Sequence, residues 1–272
     1  MTIPKKEFDG LVSINGTKLY VETAGKGEAL LFIHAGIGDS RMWNEQYDEF
    51  SKTHYVIRCD LRGFGQSKMS SGVFAHHKDI AAILEYLEVE KAIVLGASFG
   101  GHVAIDFALT QPELVKKLIL VSPALGRYEF ESPEMLQFFN KEEEKIKHGD
   151  WEAATELNLK MWVDGPQRSA EEVSQNVREQ VREMQMNIFS QPEVDVVEEI
   201  ELAPPAITRL GEIDIPTMVI SGNLDVIEFQ EISNLLADNI KNVKQIVMSG
   251  VAHLPSMEKP DEFNRIVRDF VK

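Results

Sequence analysis

The sequence lacks the features that mark secreted and membrane-spanning proteins. Its 272 residues include a single cysteine, Cys59, so no disulfide can form within the chain and nothing points to an oxidising compartment. No apolar run approaches the roughly 18 residues that a membrane span needs. The start of the chain has no apolar signal segment. We therefore expect a soluble, cytoplasmic protein that does not bind membranes.

Positive charge is also scarce. Lys and Arg number 28 against 44 Asp and Glu, which gives a net charge of −16. Nucleic acids and anionic membrane surfaces need concentrated positive charge, so neither is expected as a partner. The sequence contains no Gly-x4-Gly-Lys-Ser/Thr phosphate loop and no His-Glu-x-x-His zinc motif. His76 and His77 are adjacent and cannot share one helix face as a metal pair.

The sequence alternates between apolar segments that predict strands and segments with helical periodicity. Residues 11–14 and 18–23 flank Asn15 and Gly16, a dipeptide that favours a tight β-hairpin. Continuous apolar runs rich in β-branched residues follow, as is typical of parallel strands buried on both faces. The runs span 29–33, 55–59, 92–95, 118–121, 217–220 and 243–248. Because segments with helical periodicity separate them, the pattern predicts an α/β fold with a mostly parallel central sheet flanked by helices.

Residues 127–206 interrupt this alternation. They contain several amphipathic helical patterns, including 135–139 and 153–161, and no convincing strand. A crossover between parallel strands needs only about a dozen residues, so a much longer segment predicts an inserted helical cap. The remaining residues, 1–126 and 207–272, are predicted to form the α/β core.

The central motif is Gly-x-Ser-x-Gly, which follows an apolar run and leads into a helix-compatible segment. A strand that turns sharply into a helix through this pattern is a nucleophile elbow, with Ser98 at its tip. A Cβ at Gly96 or Gly100 would clash in the tight turn. Ser98 is therefore expected in a strained backbone conformation. The pentapeptide alone also fits a glycine-rich turn that happens to contain a serine.

A serine hydroxyl is a weak nucleophile unless a base accepts its proton and a third group orients that base. In an elbow-type enzyme the acid and then the histidine follow the serine along the chain, each after a strand. His253 follows the last predicted strand, whereas His148 lies in the predicted cap. Asp225 follows the strand at 217–220, whereas Asp214 precedes it and would lie at the wrong edge of the sheet. A structural histidine and a helix N-cap aspartate are the alternative interpretations.

Two backbone N–H groups are candidates for an oxyanion hole, the site that stabilises the negative oxygen of a tetrahedral intermediate. One belongs to Phe99, directly after the serine. The other belongs to the loop after the first buried strand, where we expect Gly36 as the donor and Ile37 as the fallback. This loop also begins a partial Gly-x-Gly-x-x-Gly nucleotide motif, with Asp60 at the spacing of a ribose contact. Because Arg41 occupies the third glycine position, a dinucleotide cofactor is not expected.

Together these motifs resemble the α/β-hydrolase fold family over nearly the whole chain. The matching segments are residues 32–36, 60–67, 96–101, 222–225 and 252–253. The family's first motif commonly reads His-Gly, where this chain has Ala35. The resemblance implies Ser98 as nucleophile, His253 as base and Asp225 as acid, with neither a metal nor an organic cofactor.

Within this family the chain is similar to small esterases and enol-lactonases with a helical cap. We therefore expect a hydrolase that cleaves a small carboxylic ester or lactone through an acyl-enzyme on Ser98. Carbon–carbon bond hydrolysis and cofactor-free perhydrolysis or haloperoxidation use a serine at the same site and stay open as alternatives. A ligand receptor that keeps the triad without turnover is an alternative of another class. The sequence specifies neither the substrate nor the oligomeric state.

The candidate pocket residues come mainly from the predicted cap. The apolar candidates are Ile37, Phe138, Met161, Trp162 and Phe189. Aromatic residues at helical spacing are more often ordinary core, which is the alternative interpretation. Arg127 follows the strand at 118–121 and is a candidate for meeting an anionic substrate group, with a surface position as the alternative.

Overall fold

The computed structural model of the chain describes residues 7–192 and 194–272. Its strands are β1 (Phe8–Ile14), β2 (Thr17–Gly25), β3 (Ala29–Ile33), β4 (Tyr55–Cys59), β5 (Gly72–Phe74), β6 (Ala92–Ala97), β7 (Val115–Val121), β8 (Val197–Glu199), β9 (Thr217–Gly222) and β10 (Val243–Met248). Its α-helices are α1 (Asn44–Phe50), α2 (His76–Tyr86), α3 (Phe99–Thr110), α4 (Pro133–Lys147), α5 (Trp151–Asn158), α6 (Gln175–Phe189), α7 (Ile227–Asn239), α8 (Pro255–Glu258) and α9 (Pro260–Val271). Within the described ranges, none of these helices has the length and apolar character required to cross a bilayer.

Eight strands form one sheet in the order β1-β2-β4-β3-β6-β7-β9-β10. β1 and β2 pair antiparallel around Asn15 and Gly16, both of which have positive φ. β2 pairs antiparallel with β4, and every neighbouring pair from β4 to β10 is parallel. The predicted hairpin and the mostly parallel central sheet are confirmed.

Helices cover both faces of the sheet because successive residues of a buried strand point to opposite sides. On one side, Phe32 of β3 shares a cluster with Phe50 of α1 and Phe263 of α9. On the other side, Leu31 of β3 shares a cluster with Ile80 of α2. β3, β4, β6 and β9 are buried along their whole length, as their continuous apolar runs predicted.

β10 has the predicted bounds but not the predicted burial. It is the last strand of the sheet, so only one of its edges is paired. Of its residues only Met248 is buried, and Val247 is 55% exposed. The expectation that this strand is buried on both faces is therefore wrong, because an apolar run does not distinguish an edge strand from a central one.

The long segment between β7 and β9 contains α4, α5 and α6. A six-residue π-helix, Leu159–Asp164, continues α5. The amphipathic helices predicted in this segment are present. The expectation that it contains no strand is wrong, because β8 lies here and pairs in parallel with β5. All three residues of β8 are exposed, so no alternation of apolar and polar residues marked it in the sequence.

Candidate active site

Ser98 lies at the sharp turn between β6 and α3. Its backbone angles, φ 49° and ψ −115°, lie in a region that L-residues rarely adopt, so the expected strain is present. A Cβ added at Gly96 would meet the carbonyl oxygen of Gly100, and one added at Gly100 would meet the carbonyl oxygens of Ile33 and His34. The absence of these side chains lets strand and helix backbones touch. Ser98 is therefore held, half-buried, at the carboxyl end of β6.

Asp225 and His253 form a buried pair. His253 Nδ1 lies 3.0 and 2.9 Å from the two carboxylate oxygens of Asp225. The side chains are 2% exposed for His253 and 0% for Asp225. The N–H of Val226 donates to Asp225 Oδ1 at 2.8 Å and fixes the carboxylate. Because a carboxylate can only accept, Nδ1 is the donor of this pair, and Nε2 is the ring nitrogen that the pair does not use.

The loops that carry Asp225 and His253 are joined by hydrogen bonds of their backbone N–H groups. The N–H of Leu224 donates to the carbonyl oxygen of Val251 at 3.0 Å. The N–H of Gly250 donates to Asn223 Oδ1 at 2.6 Å. A Cβ added at Gly222 would meet the backbone of the base loop, so the two chains also touch there. The contact of Asp225 with His253 is thus supported by the main chain beyond β9 and β10.

Two aromatic rings pack against the imidazole of His253. The Phe229 ring centroid lies 4.5 Å away at an interplanar angle of 81°. The Trp162 ring centroid lies 4.9 Å away at 43°, and Phe138 in turn packs edge-on against Trp162 at 5.4 Å. Sequence reasoning missed Phe229, although its place one helical turn after Asp225 was an available signal. Of the pocket candidates, Trp162 therefore contacts the imidazole, and Phe138 packs against Trp162.

The loop after β3 approaches the elbow. A Cβ added at Gly36 would lie 3.3 Å from the Cβ of Phe99. The N–H of Gly38 donates to the carbonyl oxygen of Ala35 at 3.1 Å and closes a turn around Gly36 and Ile37. The N–H groups of these two central residues take no part in that bond. Phe99 is the first residue of α3, where a backbone N–H has no intrahelical acceptor. The candidate oxyanion donors therefore lie on adjacent stretches of backbone.

His34 connects this loop to the loop after β4. It is fully buried, its Nε2 accepts from the N–H of Leu61 at 2.9 Å, and its Nδ1–H donates to the carbonyl oxygen of Ala35 at 2.8 Å. Because Leu61 N–H can only donate, these two bonds specify the neutral tautomer protonated at Nδ1. Sequence reasoning placed His34 in the loop without giving it this role.

The carboxylate of Asp60 is likewise used within the fold. Its Oδ1 accepts from the N–H of Ser40 and its Oδ2 from the N–H of Gln66, both at 2.8 Å. A Cβ added at Gly65 would collide with this carboxylate. Asp60 therefore connects the loops after β3 and β4. These two loops contain the residues of the partial nucleotide motif.

The other pocket candidates occupy different positions. Ile37 is half-buried and packs against both core clusters. Met161 is partly buried beside the cluster that contains Trp162. Phe189 is half-buried at the last residue of α6. The side chain of Arg127 is 67% exposed and forms an ion pair with Glu201 at the surface.

Two further histidines pack against the ring of Phe99. The centroid of His76 lies 5.2 Å from it and that of His102 lies 5.9 Å from it. Burial lowers the pKa of His76 to about 3, and its Nδ1 has no hydrogen-bond partner among the described residues. Burial also opposes the charge of His102, but Asp106, 3.3 Å from its Nε2, outweighs this and raises the pKa of His102. The pKa values of these two neighbouring rings are therefore shifted in opposite directions.

Comparison with known proteins relates most of the chain to one family. Residues 28–260 match a family model described as alpha/beta hydrolase fold. A curated relative, the pimeloyl-[acyl-carrier protein] methyl ester esterase of Yersinia pseudotuberculosis, is 28% identical over 264 residues, which cover 94% of this chain and 98% of that protein. The similarity therefore includes the segment between β7 and β9 as well as the sheet.

Solved structures show the same relationship. Est816, an N-acyl homoserine lactone degrading enzyme, matches with a TM-score of 0.76 and 26% identity, covering 96% of this chain and 99% of that one. The enol-lactonase from Burkholderia xenovorans LB400 matches with a TM-score of 0.77 and 21% identity, again covering 96% and 99%. The fold class predicted from the sequence is confirmed.

Proposed function

The chain belongs to the α/β-hydrolase fold family, and from this premise we propose that it is a serine hydrolase that cleaves small carboxylic esters or lactones. The predicted enzyme class, a hydrolase acting on ester bonds, is confirmed by the esterases and lactonases among its relatives. The observation that carries the finer proposal is the buried pair of Asp225 and His253 beyond β9 and β10, in the same fold as an elbow serine.

In the proposed mechanism, Nε2 of His253 accepts the proton of Ser98 while the serine oxygen bonds to the substrate carbonyl carbon. The carbonyl π electrons move to its oxygen, which becomes the oxyanion of a tetrahedral intermediate. The N–H groups of Gly36 and Phe99 donate to this oxygen, each contributing roughly 3–4 kcal/mol of transition-state stabilisation. Asp225 stabilises the imidazolium that has formed and holds its ring in place.

The intermediate then collapses to an acyl-enzyme. The imidazolium of His253 transfers its proton to the leaving alkoxide as the ester bond breaks, which leaves the acyl group on Ser98. In a lactone the alcohol stays attached to the acyl group, whereas in an open ester it departs. His253 next deprotonates a water molecule, whose oxygen attacks the acyl carbon. Release of the carboxylic acid returns the proton to Ser98.

We propose residues 127–206 as a cap over this site, on a core of residues 1–126 and 207–272. The support is the packing of Trp162 against His253, because this side chain comes from the inserted segment. Trp162 and Phe138 would form an apolar wall of the substrate pocket, which suits a small substrate with little charge.

Rates on a panel of substrates test this function. We would measure turnover of p-nitrophenyl acetate, a small lactone and a dienoic diketone by the wild-type protein, Ser98→Ala and Ser13→Ala. Ser13 is an exposed residue of β1 and serves as the matched serine control. The proposal expects turnover of the ester or the lactone that Ser98→Ala abolishes and Ser13→Ala leaves unchanged. Turnover of the diketone alone would contradict the proposal. So would a protein that a fluorophosphonate labels stoichiometrically but that turns over none of the three substrates.

A further inference from the structure

One short segment of the insertion contacts the loops of both the acid and the base. It begins with the π-helix Leu159–Asp164 and runs on to Arg168, and we refer to it as the 159–168 segment. π-helices are rare and occur frequently at functional sites. Trp162 belongs to this one, and its ring faces the imidazole of His253 at 4.9 Å. The Nε1–H of Trp162 donates to Asn158 Oδ1 at 2.9 Å, so the orientation of the indole is itself fixed.

Arg168 makes a second connection, through Glu258. Nη1 of Arg168 lies 2.6 Å from Glu258 Oε2, and the two side chains are only 10% and 7% exposed. The Nε and Nη2 of Arg168 donate to the carbonyl oxygens of Asp164 and Val163, at 2.7 and 2.9 Å, so the end of the π-helix orients the guanidinium. The other oxygen of Glu258 accepts from the N–H of Ala252 at 2.7 Å, directly before the base.

Gly165 makes the third connection, at the end of the π-helix. Its φ is 76°, a conformation that suits glycine. A Cβ added there would lie 2.5 Å from the carbonyl oxygen of Leu224 and 3.0 Å from the Cβ of Ala252. Leu224 directly precedes Asp225, and Ala252 directly precedes the base. The segment therefore contacts both loops at the residues next to the acid and the base, through the backbone of Leu224 and the side chain of Ala252.

We propose that the 159–168 segment positions the imidazole of His253, an inference that rests on the proposed function. Asp225 fixes one nitrogen of the ring but does not by itself fix the backbone from which the ring extends. Arg168 orients Glu258, and Glu258 holds that backbone by accepting from the N–H of Ala252. Trp162 limits the movement of the ring plane. Arg168, Glu258 and Trp162 are thus positioning residues, supplied in part by the insertion and in part by the core.

The expected consequence is a loss of turnover with little loss of binding. A displacement of about 1 Å at a reacting group can cost about a hundredfold in rate. Arg168→Met removes the ion pair and leaves Glu258 free to shift away from Ala252. We expect it to lower kcat for a p-nitrophenyl ester by about tenfold or more, with KM changed by less than about threefold. Arg168→Lys retains a cation opposite Glu258 and should restore most of the loss.

Arg58 provides a matched control for the general effect of breaking a buried ion pair. Its pair with Glu22 at 2.7 Å has side chains 10% and 20% exposed, close to the exposure of the Arg168 pair. Arg58→Met should lower the thermal unfolding midpoint while kcat stays within about twofold of wild type. If Arg168→Met does not fold, the Arg168→Met/Glu258→Gln double variant removes both buried charges and replaces it in the comparison.

A second measurement does not depend on turnover. A proton on Nδ1 of His253, hydrogen-bonded to Asp225, is expected to give a downfield NMR resonance that reports this bond. Positioning by the segment predicts that Arg168→Met shifts or broadens this resonance and lowers kcat, and that Arg58→Met does neither. If turnover depends on Ser98 but Arg168→Met leaves both kcat and the resonance unchanged, or if Arg58→Met produces the same losses, the positioning inference is wrong. Ester turnover that survives in Ser98→Ala would instead overturn the proposed function.

Discussion

Both carboxylate oxygens of Asp225 lie close to Nδ1 of His253, at 3.0 and 2.9 Å, across 28 positions of the chain. The backbone bonds between their loops, the rings of Trp162 and Phe229 and the contacts of Glu258 all lead to this pair. Because water is excluded, the negative carboxylate acts on the imidazole at short range in a medium of low dielectric constant. The geometry suits a base whose cationic form must be stabilised briefly during each turnover.

Asp225→Asn should abolish most activity while preserving the fold. An asparagine amide can donate to Nδ1, which would leave the proton on Nε2 and remove the nitrogen that accepts the proton of Ser98 in the proposed mechanism. We expect kcat for a p-nitrophenyl ester to fall by roughly four orders of magnitude, with an unchanged circular dichroism spectrum. Asp214→Asn, at an exposed residue before β9, is the control and should retain full activity. A kcat within tenfold of wild type for Asp225→Asn would count against the assigned acid.

His34→Ala tests whether the loop after β3 must be held in place for catalysis. The substitution removes the bonds to Leu61 and Ala35, so the turn that contains Gly36 loses its connection to the loop after β4. Loosening a proposed oxyanion donor should lower kcat by about tenfold to a hundredfold, with a smaller change in KM. His148→Ala, at an exposed position of the insertion, should match wild type. Equal kcat values for the two variants would show that the loop does not depend on His34.

Gly100→Ala tests the close approach of α3 to β3. The added Cβ would meet the carbonyl oxygens of Ile33 and His34, so either the helix or the strand must move. Urea unfolding should show a loss of about 1–3 kcal/mol or more in the free energy of unfolding. At Gly211 the nearest atom to an added Cβ, the Asn239 carbonyl oxygen, is 4.0 Å away, so Gly211→Ala should be neutral or slightly stabilising. Equal stability of the two variants would contradict the packing described at the elbow.

His76→Phe should reduce the loss of stability at acid pH. Burial lowers the pKa of His76 from 6.5 to about 3, so between these values the unfolded chain binds a proton that the folded protein does not. The free energy of unfolding therefore keeps its full value, as far as His76 is concerned, above about pH 6.5. It decreases as the pH falls toward 3, by up to about 1.4 kcal/mol per pH unit. Urea unfolding at pH 8, 6 and 5 should show that the free energy of unfolding decreases less in the variant than in wild type as the pH falls. Parallel pH dependences would contradict the buried, neutral imidazole.

Much of the α/β core could be predicted because the sequence signals of its strands and of its elbow are local. The apolar runs gave β3 and β4 their correct bounds, and the elbow motif with its chain order selected Asp225 and His253, whose side chains the structure brings into contact. The strand β8 gave no such signal because all three of its residues are exposed, so no buried face marks it in the sequence.

Contacts between distant loops could not be predicted from the sequence. Glu258 appeared as an ordinary residue before the last helix, and nothing local indicated that its carboxylate bridges Ala252 and Arg168. His34 was similarly visible only as part of a loop, because its partner Leu61 lies 27 positions away. Periodicity reports which face of an element is buried, whereas these roles depend on which loops meet above the sheet.

Covalent labelling by a fluorophosphonate tests the central claim most directly, because this reagent phosphonylates a serine whose proton a neighbouring base can accept. The protein would be treated with the reagent, and the adduct would be located by intact mass and by peptide mapping. The account predicts a single adduct per chain, on Ser98, that is absent in Ser98→Ala and forms far more slowly in Asp225→Asn. An adduct on another residue, or ester turnover by a protein whose Ser98 does not react, would contradict it.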